Sequence, residues 1–553
     1  MPAPWSQRGI PEALIVVLAL AASLAGITNQ FAQDDFGIIL KNDAVHHLGH
    51  GLRFFAEPYW PPPLPPELYR PLALLWYAVE WAAGGGSPLV FRIASYLLYA
   101  AACLAVFRLA RVALPAAGAL AVAALFAVHP VHVEAVALAV NQGELWVALL
   151  SCLAVYQYVA ARRAGPLRRG TVLGIGALYL VACFFKENAI ILPGLLIGAE
   201  AFLVTGIPLR ARVRAAGGLY LLLLLAGLGF LALRTAVLGD LRGTVIADAL
   251  APQDLAGRAL TMLTVVPHWF RLLFWPADLQ GDYSPSEIVA REVWVTDAAL
   301  GLLLILGTVI LALLARRRAP AISFGIVWMA VALVPVHNVL VPTGVVLAER
   351  TLFLPSVGAM LVLGGLGAAV LERASGSTRV LLASVTGLLL VLGLYRSATR
   401  HPDWSDMFNY WYVTANRDAP KSFRAHHALG EMYLLADAYG RAEQEFRLAI
   451  DLAPPHVSNV YLAYADMLRR RDLCHPAAEL YRRSLRISPG EHAVRMSLVA
   501  CLIRLGSYPE ALQETARGVP FGQHTATWLR LRDAADSAQR AGAPPGSVRV
   551  TLP

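Results

Sequence analysis

Apolar runs of about 20 residues recur from the N-terminus to residue 396, each long enough to cross a bilayer as a helix. They predict spans near 12–29, 88–110, 113–128, 145–161, 170–185, 189–205, 216–236, 298–315, 320–338, 352–371 and 379–396, about eleven in all. The first is too long for a removed signal peptide and lacks a small-residue cleavage site, so it reads as an anchor. From about 420 the pattern changes to polar sequence with helical periodicity. Leu429, Gly430, Tyr433, Ala442, Phe446, Ala449 and Pro454 form one unit, and Tyr464, Ala465, Leu468, Ala477, Tyr481, Ser484 and Pro489 form the next. A weaker third unit runs through Val499, Gly506, Tyr508 and Ala511. Small residues where two helices cross, aromatics between them and a proline at the turn are the signature of tetratricopeptide helix pairs. Two readings of these repeats stay open, a binding surface for an extended peptide or partner protein and a structural cap.

Composition agrees. The chain has 553 residues, 57% of them hydrophobic and only 15% charged, with a mean hydropathy of +0.56, whereas soluble domains carry roughly a quarter charged residues. The fold class is therefore all-α, a polytopic membrane bundle followed by a helical solenoid. The net charge of +9 is concentrated in short loops, which argues against a nucleic-acid partner. Clusters stand at Arg162, Arg163, Arg168 and Arg169; at Arg210, Arg212 and Arg214; at Arg316, Arg317 and Arg318; and at Arg373 and Arg379. The positive-inside rule assigns all of them to the cytoplasm.

Threading the spans from a cytoplasmic N-terminus satisfies each cluster. Residues 31–87, the turn at His129, Lys186–Asn188, the 237–297 loop, 337–350 and everything after 396 then face outside. This requires that Thr261–Trp275 lie at the interface rather than span, which suits its His268, Arg271 and four large aromatics. Of the five cysteines, Cys103, Cys152 and Cys183 fall in spans; a disulfide between Cys474 and Cys501 is left open.

The unusual polar groups converge on that outer face. Asp34 and Asp35, in Phe31-Ala-Gln-Asp-Asp-Phe36, are a carboxylate pair at a membrane surface, a costly arrangement suited to a general base and a neighbour that orients it. The alternative is a helix cap. The proline-rich stretch 57–71 is a stiffened loop that delivers Arg70, a forked cation suited to phosphate. His129, His132 and Glu134 do not share one helical face, so no metal site is expected there; they read as substrate contacts or as helix-entry structure. Lys186 and Glu187, like Glu349 and Arg350, are either local ion pairs or contacts to an anionic head group. Together these groups fit attack by a hydroxyl on a lipid phosphate-sugar, with a carboxylate taking the acceptor proton and cations neutralising the departing phosphate.

Gln33-Asp-Asp-Phe, Tyr69-Arg-Pro-Leu72, His129-Pro-Val-His-Val-Glu-Ala-Val136, Phe185-Lys-Glu-Asn188 and Ala348-Glu-Arg-Thr-Leu-Phe-Leu-Pro-Ser-Val-Gly358, with the repeats behind them, resemble the transmembrane and tetratricopeptide repeat-containing O-mannosyltransferases, members of the GT-C glycosyltransferases. The resemblance covers nearly the whole chain. It implies transfer of mannose from a polyprenyl-phosphate donor to Ser or Thr hydroxyls of a protein acceptor, with Asp34 as base and Asp35 beside it. Two features depart from that pattern. Asn141-Gln-Gly-Glu144 stands where the family has a Gly-Arg-Ala-Glu-like stretch, and the repeat array is shorter than in animal members. Short arginine-rich loops and an Ala/Arg-heavy composition point to a bacterial relative.

The expectation is a GT-C-type transmembrane domain over 1–400 and an extracytoplasmic repeat domain over 401–553, with repeats at 420–520 and a flexible tail. The enzyme is expected in a bacterial inner membrane. Catalysis falls to Asp34 and Asp35; donor and substrate binding to Arg70, His129, His132, Glu134, Lys186, Glu187, Glu349 and Arg350. The lipid-linked sugar is a substrate, and neither a resident cofactor nor a divalent metal is expected. Sugar transfer to a lipid or cell-surface glycan, and a non-enzymatic repeat scaffold for envelope assembly, are the rival readings.

Overall fold

A computed structural model describes residues 9–62, 64–204, 209–240, 245–372, 374–518 and 525–552. Within them the protein is all-α, with no strand; Arg373, counted above in one arginine cluster, lies outside the described residues. Each of the expected spans carries a helix. Pro88–Ala113, Ala139–Ala164, Ala215–Leu238, Thr296–Ala315, Glu349–Leu371 and Gly376–Trp404 are long and apolar enough to cross a bilayer. Ala116–Ala127 and Pro130–Ala137 make a seventh if counted as one span, bent by 48°. The bend follows from Pro130, whose ring cannot continue the helix before it. Ile10–Gly26, Arg169–Phe185 and Pro320–Val336 are apolar but shorter, and Leu192–Phe202 is shorter still at 11 residues. The count of eleven is thus an upper reading, because several of these helices fall short of the roughly 20 residues a crossing needs.

The packing is that of a membrane protein. Leu303, Ile310 and Leu314 on Thr296–Ala315, and Val380, Leu388 and Val391 on Gly376–Trp404, are exposed along whole helix faces, a cost in water that lipid removes. Inside, small residues let helices approach. A Cβ on Gly325 would stand 2.6 Å from the Gly358 carbonyl oxygen, so Pro320–Leu333 and Phe353–Leu371 pack backbone to backbone. The Thr261–Trp275 stretch forms the helix Leu255–Phe274, which is not among those apolar enough to span.

The chain divides into two compact units. One comprises Met1–Gly281 and Ala290–Tyr410; the other comprises Asp282–Val289 and Trp411–Pro553. In the second, Asp282 accepts from Ser422 Oγ at 2.5 Å and Ser286 Oγ donates to the Leu452 carbonyl at 2.6 Å. Its helices run in pairs: Phe423–Leu435 with Tyr439–Leu452, Leu462–Arg470 with Cys474–Ile487, and His492–Arg504 with Tyr508–Gly518. The turns repeat too. Asp437, Asp472 and Gly506 take positive φ of 56°, 62° and 75° at equivalent places, ending the first helix of each pair in the left-handed conformation. Gly430 admits the Phe446 ring, and Leu429, Ala442, Tyr464, Ala465 and Tyr481 fill the same buried core.

The tail differs from expectation. After helix Thr525–Arg540, the Ala543 carbonyl accepts from Tyr508, Gly546 N–H donates to the Arg504 carbonyl at 2.8 Å, and Arg549 reaches Asp472 at 3.3 Å. Val548, Val550 and Leu552 pack on the repeat core, so the tail is held by its alternating apolar side chains rather than free.

Candidate functional site

The two adjacent aspartates do different things. Gln33 takes a positive φ of 48°, uncommon and strained for a residue with a side chain, and the turn it makes sends Asp34 and Asp35 in different directions. Asp35 is fully buried. It accepts from the Val140 amide at 2.8 Å, the Ala139 amide at 3.2 Å and Arg92 Nη2 at 3.2 Å. Arg92, equally buried, also donates to the Gln30 and Ala137 carbonyls. Asp35 therefore pins the loop to two other segments. Asp34 is exposed to solvent, and its carboxylate bonds to no described residue. Surrounding protein nevertheless raises its pKa by desolvation, opposed by the charges of Arg350, Arg70 and Lys186 and reinforced by Glu134.

Those three cations come from separate stretches. Arg70 ends the proline-rich loop and starts the helix Pro71–Gly84. The ends of that loop are tied by Tyr59 N–H to the Leu68 carbonyl, 2.7 Å, and by Tyr69 O–H to the Phe55 carbonyl, 2.9 Å; Pro63 lies outside the described residues. The Arg70 guanidinium lies over the Tyr59 ring, 5.0 Å from its centroid. Lys186 and Glu187 occupy the break after Arg169–Phe185, and Glu349 and Arg350 open the helix that leads into Phe353–Leu371.

Neither sequence-adjacent pair joins its own members. Arg70 makes a bidentate pair with Glu187, at 2.8 and 2.6 Å. Lys186 Nζ meets Glu144 at 2.6 Å, and Asn188 donates to the other Glu144 oxygen at 3.0 Å. Arg350 binds Glu134 through both its guanidinium and its backbone N–H. Glu349 instead accepts from the Gln280 amide at 2.6 Å and lies 3.7 Å from Arg400. Adjacent residues on a short helical turn point apart, so each finds its partner in another segment. Burial raises the Glu187 pKa, but Arg70 and Lys186 overcome that and hold it at about 2. Desolvation lowers the Lys186 pKa, with Glu144 pulling the other way.

The histidines stand apart from this cluster's hydrogen bonding. His132 is buried with both ring nitrogens engaged, to Ser356 Oγ at 2.8 Å and Tyr99 O–H at 3.0 Å. His129 caps its own turn at Val131 N–H and reaches the Leu273 carbonyl at 3.1 Å. Their geometry is that of helix-entry structure, because no ring nitrogen is left to meet a substrate. Sequence reasoning passed over two residues. Arg92 is an arginine inside a span, which by itself marks a functional or structural partner. Glu144 lay in a stretch noted only for its missing arginine, and it holds Lys186.

Each cation keeps donors beyond its carboxylate. Arg70 uses Nε and Nη2 on Glu187, which leaves Nη1; Lys186 has three N–H bonds and gives one to Glu144. The arrangement can thus hold a further anion while Asp34 stays open to a neutral hydroxyl.

Fold and site together define a multi-pass membrane protein with a polar, solvent-reached cluster at span ends and a separate unit of paired helices. Comparison with curated proteins finds protein O-mannosyl-transferases of the TMTC family over most of the chain. It is 23% identical to the protein O-mannosyl-transferase TMTC3 of Mus musculus over 94% of its length and 64% of that protein. It is 27% identical to Tmtc1 of Drosophila melanogaster over 78% of its length and 59% of that protein, and 27% identical to TMTC4 of Mus musculus over 66% and 55%. The chain thus spans somewhat less than two thirds of the length of these relatives. No family model matches it.

Proposed function

We propose that this chain transfers a sugar, mannose in the favoured reading, from a polyprenyl-phosphate donor to Ser or Thr hydroxyls of proteins on the extracytoplasmic side of a bacterial inner membrane. The observation that carries this is Asp34, unbonded and solvent-exposed within electrostatic reach of Arg70, Lys186 and Arg350. The names of the relatives supply the sugar and the protein acceptor.

In this mechanism the acceptor oxygen attacks the anomeric carbon while Asp34 takes its proton. The bond from that carbon to the phosphate oxygen breaks, and the polyprenyl phosphate leaves with the bonding electrons, so the anomeric configuration inverts. Arg70, Lys186 and Arg350 stabilise the growing phosphate charge, a contribution of about 1.5–3 kcal/mol for each charge-assisted hydrogen bond. Glu187, Glu144 and Glu134 hold the three cations in place before substrate arrives, and Asp35 with Arg92 fixes the loop that aims Asp34. The repeats are proposed to hold the acceptor as an extended segment.

Donor binding tests the phosphate assignment. Replacing Arg70 or Arg350 with Ala is expected to weaken binding of a polyprenyl-phosphate sugar by about 10- to 100-fold. Because each leaves a carboxylate without its partner, Arg70→Ala is paired with Arg70→Ala/Glu187→Gln, and thermal stability is read beside affinity. Unchanged donor affinity in stable Arg70, Lys186 and Arg350 variants would remove the assignment.

A further inference from the structure

Outside the membrane unit the chain has two cysteines, and they share one hydrophobic core. Cys474 is the first residue of the helix Cys474–Ile487, and Cys501 lies in the third turn of His492–Arg504. One therefore belongs to the second helix pair and the other to the third. Both lie in one buried core, Cys474 5% exposed and Cys501 fully buried, on two helices that pack against each other, and both are free thiols in this structure.

We propose that Cys474 and Cys501 are joined by an intrachain disulfide that clamps the second helix pair to the third. The proposal rests on the reading that the repeats are extracytoplasmic, since disulfides form and persist in oxidising compartments. The two helices that carry them already pack against each other within one core, which is the arrangement such a bond requires. The bond closes a loop of about 28 residues, long enough to take substantial entropy from the unfolded chain.

The two thiols also differ in reactivity. Cys474 is placed to be the nucleophile because it opens the second helix of its pair, where the helix N-terminus favours a thiolate before the third pair has docked. The Cys474 thiolate attacks the disulfide of an oxidising dithiol protein, releasing one of its thiols. Cys501 then loses its proton and attacks the mixed disulfide at the Cys474 sulfur, releasing the second thiol. The two electrons and the broken S–S bond are accounted for by reduction of that oxidant to its dithiol. Both side chains are buried in the folded repeats, so the reaction belongs to folding, before the third pair closes over the second.

The test uses the full chain, taken from membranes in denaturing detergent containing N-ethylmaleimide and no reductant, then digested for mass spectrometry. The expected result is maleimide on Cys103, Cys152 and Cys183, and a cross-linked peptide pair holding Cys474 and Cys501. Prior reduction should label all five. Cys474→Ser and Cys501→Ser should each lower the unfolding temperature of the repeat unit by about 5 °C or more, the double variant by no more than either, and reductant should do the same to wild type alone. Maleimide on both residues without reduction overturns the proposal. An activity reporter fused after Pro402 separates the causes. Free thiols with a reporter active outside the cytoplasm overturn the disulfide alone; free thiols with a silent reporter overturn it together with the assigned compartment.

Discussion

Neighbouring residues of one type can have opposite duties, and the aspartates show how. Asp35 spends its oxygens on two amides and Arg92, so Asp35→Asn strands a buried guanidinium. It should cost about 3–5 kcal/mol of stability, read as an earlier thermal transition, whereas Asp34→Asn should leave the transition where it is. Equal melting of the two variants would contradict the division of labour. The raised pKa of Asp34 has a kinetic sign. A base works only when deprotonated, so kcat/KM should fall as pH drops through a midpoint above the ordinary aspartate value of about 3.9. Lys186→Gln removes one of the charges that hold that pKa down, and it should move the acid limb to still higher pH.

Glu187 gives the opposite case. Its folded pKa of about 2 lies below the ordinary value of 4.5, so the folded state is favoured when the carboxylate is charged. That stability is fully present above about pH 4.5 and is lost as pH falls toward 2. Thermal scans across this window should show a decline that Glu187→Gln lacks.

At the scale of elements, short helical breaks carry the site. Lys186–Glu187, Glu349–Arg350 and the turn at Gln33 all lie at breaks or first turns of helices, and the proline-rich loop brings Arg70 to them. The sequence made these segments legible, because charge at the edge of an apolar run is conspicuous. It did not make the pairing legible. Glu187 binds an arginine 117 residues away, and Arg350 a glutamate 216 residues away, and no local pattern encodes such distances. Hence the adjacent residues looked like partners when they are not. The paired helices were more readable, since their small and aromatic residues recur on a fixed period and the left-handed turns at Asp437, Asp472 and Gly506 follow it. The held tail was hidden, because Pro and Gly at 542–546 resemble a loose end, and only the Val548, Val550, Leu552 alternation hints at packing. A Cβ on Gly430 would stand 2.7 Å from the Phe446 ring. Gly430→Val should therefore lower the thermal transition of the first helix pair, while the same change at Gly440, where a Cβ meets nothing, should have a far smaller effect.

For the whole molecule, orientation decides whether the cluster and the repeats meet the same compartment. A reporter active only outside the cytoplasm should work when fused after Pro402 and be silent after Arg317; the reverse would separate the account from its substrate. The most direct measurement, however, is transfer itself. Purified full-length chain, given a polyprenyl-phosphate mannose and a protein acceptor, should place mannose on Ser or Thr. Asp34→Asn should keep donor affinity and lose about 10²–10⁴-fold or more in rate. Transfer by purified Asp34→Asn at the wild-type rate would contradict the account.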